Sequence, residues 1–130
     1  MAALETDLVL AWHEALNSEN VDRLVALCVE EVEVGGPKGS GHGSQLLREW
    51  VGRARIRLDP QRVFHSEGVV VVQQSAQWAS AETGEMFAER TEAASVFRVH
   101  EGRIAAILRY PDLAAALPAA GLDESSEVSP

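Results

Sequence analysis

The stretch from Gly68 to Tyr110 constrains this chain most. It holds three runs that read as long strands: Gly68–Trp78, with four successive valines, then Glu85–Val99, then Gly102–Tyr110. β-Branched and aromatic residues in such runs favour a pleated, half-buried surface. Glu67-Gly68 and Glu101-Gly102 have the composition of tight hairpin turns, and Ala79–Gly84 that of a looser one. Strands joined in this way form an antiparallel meander.

Helical patterns come before the meander. Leu4, Leu8, Ala11, Trp12, Ala15 and Leu16 recur on one helical face. Asn17-Ser-Glu-Asn20 breaks that pattern, and Ser18 or Asn20 can cap a second helix whose stripe is Val21, Leu24, Val25 and Cys28. Val32–Val34 reads as a short strand. Gly35–Gly43 contains five glycines and a proline and reads as a loop. Ser44 can cap a third helix carrying Leu46, Leu47, Trp50 and Val51. Ile56–His65 is a strand that Asp59-Pro60 must interrupt or place at an edge. Asp112 can cap a last short turn with Leu113, Ala116 and Leu117.

The order α-α-β-α-β-β-β-β predicts an α+β fold. A long twisted sheet curls, so the expectation is a curved antiparallel sheet wrapped around three N-terminal helices, a cone-shaped α+β barrel with an interior pocket. Residues 1–120 make one domain. Residues 121–130 are acidic and small, and composition predicts a disordered tail.

With 130 residues the chain can bury a core without staples. A net charge of −9 argues against nucleic acid, which demands a basic footprint. No apolar run reaches membrane-spanning length, and the N-terminal residues lack the order of a signal peptide, so a cytoplasmic location is expected. One cysteine allows no internal disulfide, and the four histidines show no metal-ligand spacing, so no metal and no cofactor are expected.

Helix 1, the run Asn20–Val34, the Gly-Pro loop, Gly43–Trp50 and Ser95–Ile104 together resemble the nuclear transport factor 2-like superfamily, in its SnoaL-like and ketosteroid-isomerase-like branch. The resemblance covers about residues 4–117. It implies a cone with an interior pocket and a homodimer, in a family whose members include isomerases, cyclases, epoxide hydrolases, dehydratases and non-catalytic domains. Steroid isomerases of this type use an aspartate base with a tyrosine and a protonated carboxylic acid as oxyanion donors. The matching positions here are Gly36, Trp12 and Ser95, so the resemblance does not extend to that activity.

By the same resemblance, the concave face carries Val70, Val72, Gln74, Ala76 and Trp78 on the first long strand. It carries Phe87, Glu89, Thr91, Ala93, Ser95 and Phe97 on the second, and Ile107 and Arg109 on the third. Glu89 in an apolar pocket can act as acid or base, or it can pair with Arg109 as a structural ion pair. Arg109 can bind an acidic oxygen. His42, in the glycine-rich loop at the expected rim, is a third catalytic candidate, histidine being a common general base. Trp78, Gln74, Thr91, Ser95, Phe97 and Ile107 are candidate ligand contacts, although such polar residues also satisfy one another. Trp12 and Trp50 lie on apolar stripes and suit core packing. His13 falls on the polar side of helix 1, and His100 in a turn. Val69, Val71, Ala94 and Val96 would leave an apolar patch on the outer face, suited to homodimerisation.

Two functions follow. One is a pocket binding a small, mostly apolar or amphipathic molecule, without ketosteroid isomerase activity. The other is a cofactor-independent acid–base enzyme (isomerase, cyclase, dehydratase or hydrolase) acting on a small carbonyl or hydroxylated compound.

Overall fold

The structure, a computed structural model, describes residues 2–36, 39–54, 56–78 and 91–128. Helices α1 (Ala2–Asn17) and α2 (Val21–Ala26) lead into β1 (Cys28–Gly36) and β2 (Gly39–His42). Helix α3 (Ser44–Ala54) precedes β3 (Ile56–Ser66), β4 (Val69–Trp78), β5 (Thr91–His100) and β6 (Arg103–Tyr110). Helix α4 (Leu113–Ala120), a 3-10 turn (Glu124–Ser126) and β7 (Glu127–Val128) follow.

The strands form one curved sheet in the order β2-β1-β6-β5-β4-β3-β7. The expected antiparallel meander is present. Gly68 at φ 77°, and Glu101 and Gly102 at φ 51° and 80°, supply the left-handed conformations of its two tight turns. Three features depart from expectation. The sheet does not close into a barrel, because β2 and β7 stand at opposite edges. The β1–β6 ladder is parallel, since β1 reaches the sheet from the helices rather than through a hairpin. Gly35–Gly43 belongs largely to a β1–β2 hairpin and not to a loop. The glycines there serve close approach. A Cβ on Gly35 would collide with Gly39 and Ser40, and one on Gly41 would lie 2.6 Å from Leu46.

Helix α1 buries Val9, Trp12, His13 and Leu16, a stripe at i, i+3, i+4 and i+7. Trp12 is fully buried as expected, whereas Leu4, assigned to the stripe from sequence, is 66% exposed. Asn17 ends the helix and hydrogen-bonds both ways with the Leu58 backbone, its Nδ2 donating to the carbonyl at 2.9 Å and its Oδ1 accepting from the amide at 3.0 Å. That clamp sits beside the β3 irregularity between Pro60 and Arg62, where the proline removes a ladder donor. Asn20 caps α2 by accepting from the Arg23 amide. The helix stops at Ala26, so Cys28 opens β1 rather than extending the α2 stripe.

Two apolar layers flank the sheet. On the concave side α1, α2 and α3 pack over Val63, Val70, Val72, Ala76, Phe97 and Ile107. On the convex side Phe64, Val71, Ala94 and Val96 pack under Leu113, Ala116 and Leu117 of α4. The apolar patch expected to be exposed for a homodimer is therefore covered by this chain's own helix. Residues 121–128, part of the segment for which composition suggests disorder, are described as well. β7 pairs with Val63 and Phe64 of β3, and the Arg62 guanidinium donates to Glu127 at 2.9 and 2.8 Å and to Glu124 at 2.6 Å. Among the described residues no helix is long and apolar enough to cross a membrane.

Candidate functional site

The strand register places the candidate residues in rows. Ala76 faces Thr91, Gln74 faces Ala93, Val72 faces Ser95, and Val70 faces Phe97 across β4 and β5. Ser95 faces Arg109, and Phe97 faces Ile107 across β5 and β6. Residues directly opposite share a face. Gln74, Thr91, Ser95, Phe97, Ile107 and Arg109 thus share one side of the sheet, the side that the resemblance makes concave. Trp78 ends β4 opposite Ile56. Glu89, with Phe87, lies outside the described residues, so the Glu89–Arg109 pair does too.

The centre of this face is closed. Phe97 and Ile107 are buried, and the rings of Trp12, His13 and Phe97 pack edgewise or tilted at 5.2 to 5.4 Å between centroids. These residues form core walls rather than an open lining.

Within this core runs a chain of polar groups. His13, Gln74 and Ser95 are each 1% exposed. His13 Nδ1 lies 2.8 Å from the Val9 carbonyl, His13 Nε2 lies 2.8 Å from Gln74 Nε2, and Ser95 Oγ lies 3.0 Å from Gln74 Oε1. A carbonyl only accepts, so His13 carries its proton on Nδ1 and donates to Val9. Its Nε2 then accepts from the Gln74 amide, and Gln74 Oε1 accepts from the Ser95 hydroxyl. Flipping the Gln74 amide would set Oε1 against a bare nitrogen lone pair. Burial of the imidazole lowers the His13 pKa to about 4, with the Val9 bond and Asp59 opposing that shift. His13 is therefore not the solvated histidine expected from sequence. It is neutral, with both nitrogens engaged.

Arg109 occupies the next place outward. It is half-buried, and desolvation lowers its pKa. Its guanidinium lies 5.5 Å from the centroid of the Trp50 ring, on α3. Among the described residues no carboxylate lies within ion-pair distance of it. Trp50, partly buried and packed against the concave core as its stripe suggested, is thus also the ring partner of Arg109. β1 pairs alongside β6 up to Gly35 and Leu108, which brings the end of β1 to the Arg109 end of the sheet.

His42 is exposed on edge strand β2, opposite Glu33, rather than in a loop. Thr91 is exposed at the start of β5. It helps line an open cleft of about 290 Å³ with Gln61, Gln73, Gln74, Ser75 and Glu92. Glu92 already accepts a hydrogen bond from the Leu113 amide. Burial pushes the Cys28 thiol up to about 12, which makes it inert. The Trp12 indole N–H has no partner of hydrogen-bond geometry, yet the Cys28 sulfur is near enough for the indole to offset that shift slightly. Among the described residues no three His, Cys, Asp or Glu side chains converge as metal ligands.

Sequence reasoning missed His13, Asn17 and the Trp50 contact. The missed signal for His13 was the Val9, Trp12, His13, Leu16 spacing, which places it on the buried stripe.

The sequence profile of the SnoaL-like domain matches residues 9–107. No curated protein matches the chain. Solved structures with the same fold include a proposed polyketide cyclase from Xanthomonas campestris pv. campestris, 22% identical at TM-score 0.72 over 88% of this chain and 94% of that one. An NTF2-like protein of unknown function from Cytophaga hutchinsonii is 21% identical at TM-score 0.70, covering 85% of this chain and 91% of its own. TerC, co-crystallised with polyporic acid, is 16% identical at TM-score 0.72 over 86% of this chain and 94% of that one.

Proposed function

The chain belongs to the SnoaL-like domain family, and from that premise we propose that it is a cytoplasmic binding domain for a small, mostly apolar molecule bearing an acidic oxygen. The ligand lies at the Arg109 end of the concave face. Arg109 holds the acid and Trp50 flanks it. The observation that carries this reading is a half-buried guanidinium with no carboxylate partner among the described residues. Removing a guanidinium from water without an anion is unfavourable, and a bound acid would offset that cost. TerC's complex with polyporic acid is in keeping with a ligand-holding member of the fold.

The second reading, a cofactor-independent acid–base enzyme using Glu89, Arg109 and His42, draws support from the proposed polyketide cyclases among the structural relatives. Binding is put first because it draws on Arg109 and Trp50 alone, whereas the enzyme draws on Glu89, outside the described residues, and on His42, exposed on edge strand β2.

Native mass spectrometry of freshly purified protein, followed by NMR titration with phenyl-substituted carboxylic acids, tests the proposal. Binding that perturbs the Trp50 indole signal and is lost in Arg109→Gln is expected. Binding that survives Arg109→Gln unchanged would defeat it. Turnover of a bound carbonyl compound, abolished in Glu89→Gln, would favour the enzyme.

A further inference from the structure

The two edges of the sheet are kept from further pairing in different ways. β2 is four residues long and glycine-rich. β3 is eleven residues long, and a long edge strand is a template for another chain. Its first half is blunted by Pro60, which has no amide proton, and by the register shift between Pro60 and Arg62. From Arg62 to Ser66 its ladder to β4 is unbroken. β7 lies along this regular stretch and pairs with Val63 and Phe64 alone. The cover is held by few contacts. Leu122 is fixed, its amide donating to the Leu117 carbonyl at 2.9 Å and its side chain packing on the convex cluster. Beyond it, Val128 rests on the core. Arg62, stacked over the Phe64 ring at 5.0 Å, donates to Glu124 and Glu127, whose side chains are 67% and 40% exposed. Ion pairs this exposed are weak and are screened by salt. A terminal segment held in this way can open without global unfolding.

We propose that residues 123–128 are an ionic strap that gates pairing of the β3 edge with a second copy of this chain. With the strap released, the stretch Arg62–Ser66 is complementary to itself. An antiparallel pair centred on Phe64 sets Phe64 against Phe64, Val63 against His65, and Arg62 against Ser66. No two like charges meet directly in that register, and the His65 ring faces Glu5 of its own chain at 2.7 Å. The pairing covers all of Arg62–Ser66, where β7 covers only Val63 and Phe64. It is isologous, so it closes at two copies. It leaves the convex face under α4, and it needs no residue of the Arg109 site.

Hydrogen exchange and analytical ultracentrifugation on the full-length chain test it. In Glu124→Gln/Glu127→Gln the amides at positions 127 and 128 should exchange roughly ten-fold faster, the scale of two exposed ion pairs. At high-micromolar concentration the mass should double relative to the unmodified protein. Glu14→Gln/Asp22→Asn removes the same charge from the exposed pairs with Arg23 and Arg48, and should leave the mass unchanged. Raising the salt should speed exchange at Glu127 and Val128 in the unmodified protein. In the doubled species the β3 amides between Arg62 and Ser66 should stay protected although those of the strap do not. Exchange at positions 127 and 128 that ignores both the variant and salt would overturn the strap. Faster exchange with an unchanged mass would overturn the pairing with a second copy. So would a doubled species whose Arg62–Ser66 amides exchange along with the strap, or a control that doubles as well, since association would then follow net charge.

Discussion

At the scale of single residues, His13 carries the clearest pH signature. Its folded pKa is near 4 against 6.5 in an unfolded chain. The unfolded chain therefore binds the extra proton first as pH falls. Stability should be full above about pH 6.5, decline through the window down to about pH 4, and lose about 3 kcal/mol across it. Urea midpoints measured from pH 7.5 to 4.5 check this. In His13→Phe the slope between pH 6.5 and 5 should flatten, because the titrating group is gone, although overall stability falls as Gln74 loses its acceptor. Glu5 contributes separately. Bonds from His65 at 2.7 Å and the Gly68 amide at 2.9 Å outweigh its desolvation and lower its pKa, so its contribution is lost only at more acidic pH. A flat profile in the unmodified protein between pH 6.5 and 5 would show that the imidazole is not held neutral. Trp12→Ala, at the same packed centre, should cost about 3 to 5 kcal/mol, read from urea denaturation.

At the scale of elements, helix α4 decides what the convex face can do. Asp112 caps it by accepting from the Ala115 amide, and Glu92 from the sheet accepts from the Leu113 amide. Gly121 closes it at φ 74°. Leu113, Ala116 and Leu117 then lie over Phe64, Val71, Ala94 and Val96. Leu117→Ala should cost about 2 to 5 kcal/mol in denaturation experiments. Val96→Asp should lower the melting temperature sharply at every protein concentration, because a buried carboxylate there has no described cationic partner. Were Val96 at an interface between copies, the same change would alter the mass in ultracentrifugation and leave the melt of the monomer intact. The Arg62 cluster holds β7 from the solvent side, so Arg62→Ala should speed hydrogen exchange at Glu127 and Val128 with little change in the global melt.

At the scale of the whole molecule, the meander was readable because strand periodicity is local and its turns announce themselves in Glu-Gly pairs. The row from Gln74 to Arg109 was readable in part, since alternation says which residues share a face and the resemblance says which face is concave. The glycine-rich hairpin was not, because glycine weakens strand propensity and the gain there comes from backbone approach between β1 and β2. Coverage of the convex face was equally hidden, as nothing local in Leu113–Ala120 says which surface that helix will meet. Most of the candidate site lay between these cases. Residue identities and faces were legible, but the direction of a hydrogen-bond chain depends on which atoms meet in space. That direction bears on ketosteroid isomerisation, the activity to which the resemblance does not extend. Ketosteroid isomerisation needs a base and two donors aimed at one oxyanion. Gly36 offers no side chain for the first role. The Trp12 N–H is buried beside Cys28, and the Ser95 proton is committed to Gln74. The purified protein should therefore leave a Δ5-3-ketosteroid unchanged at the buffer rate in an absorbance assay. Isomerisation well above that rate, surviving in Ser95→Ala, would mean that a different set of groups carries the chemistry. If Ser95→Ala abolished it, the hydroxyl would have to donate outward, and the direction assigned to the buried chain would be wrong.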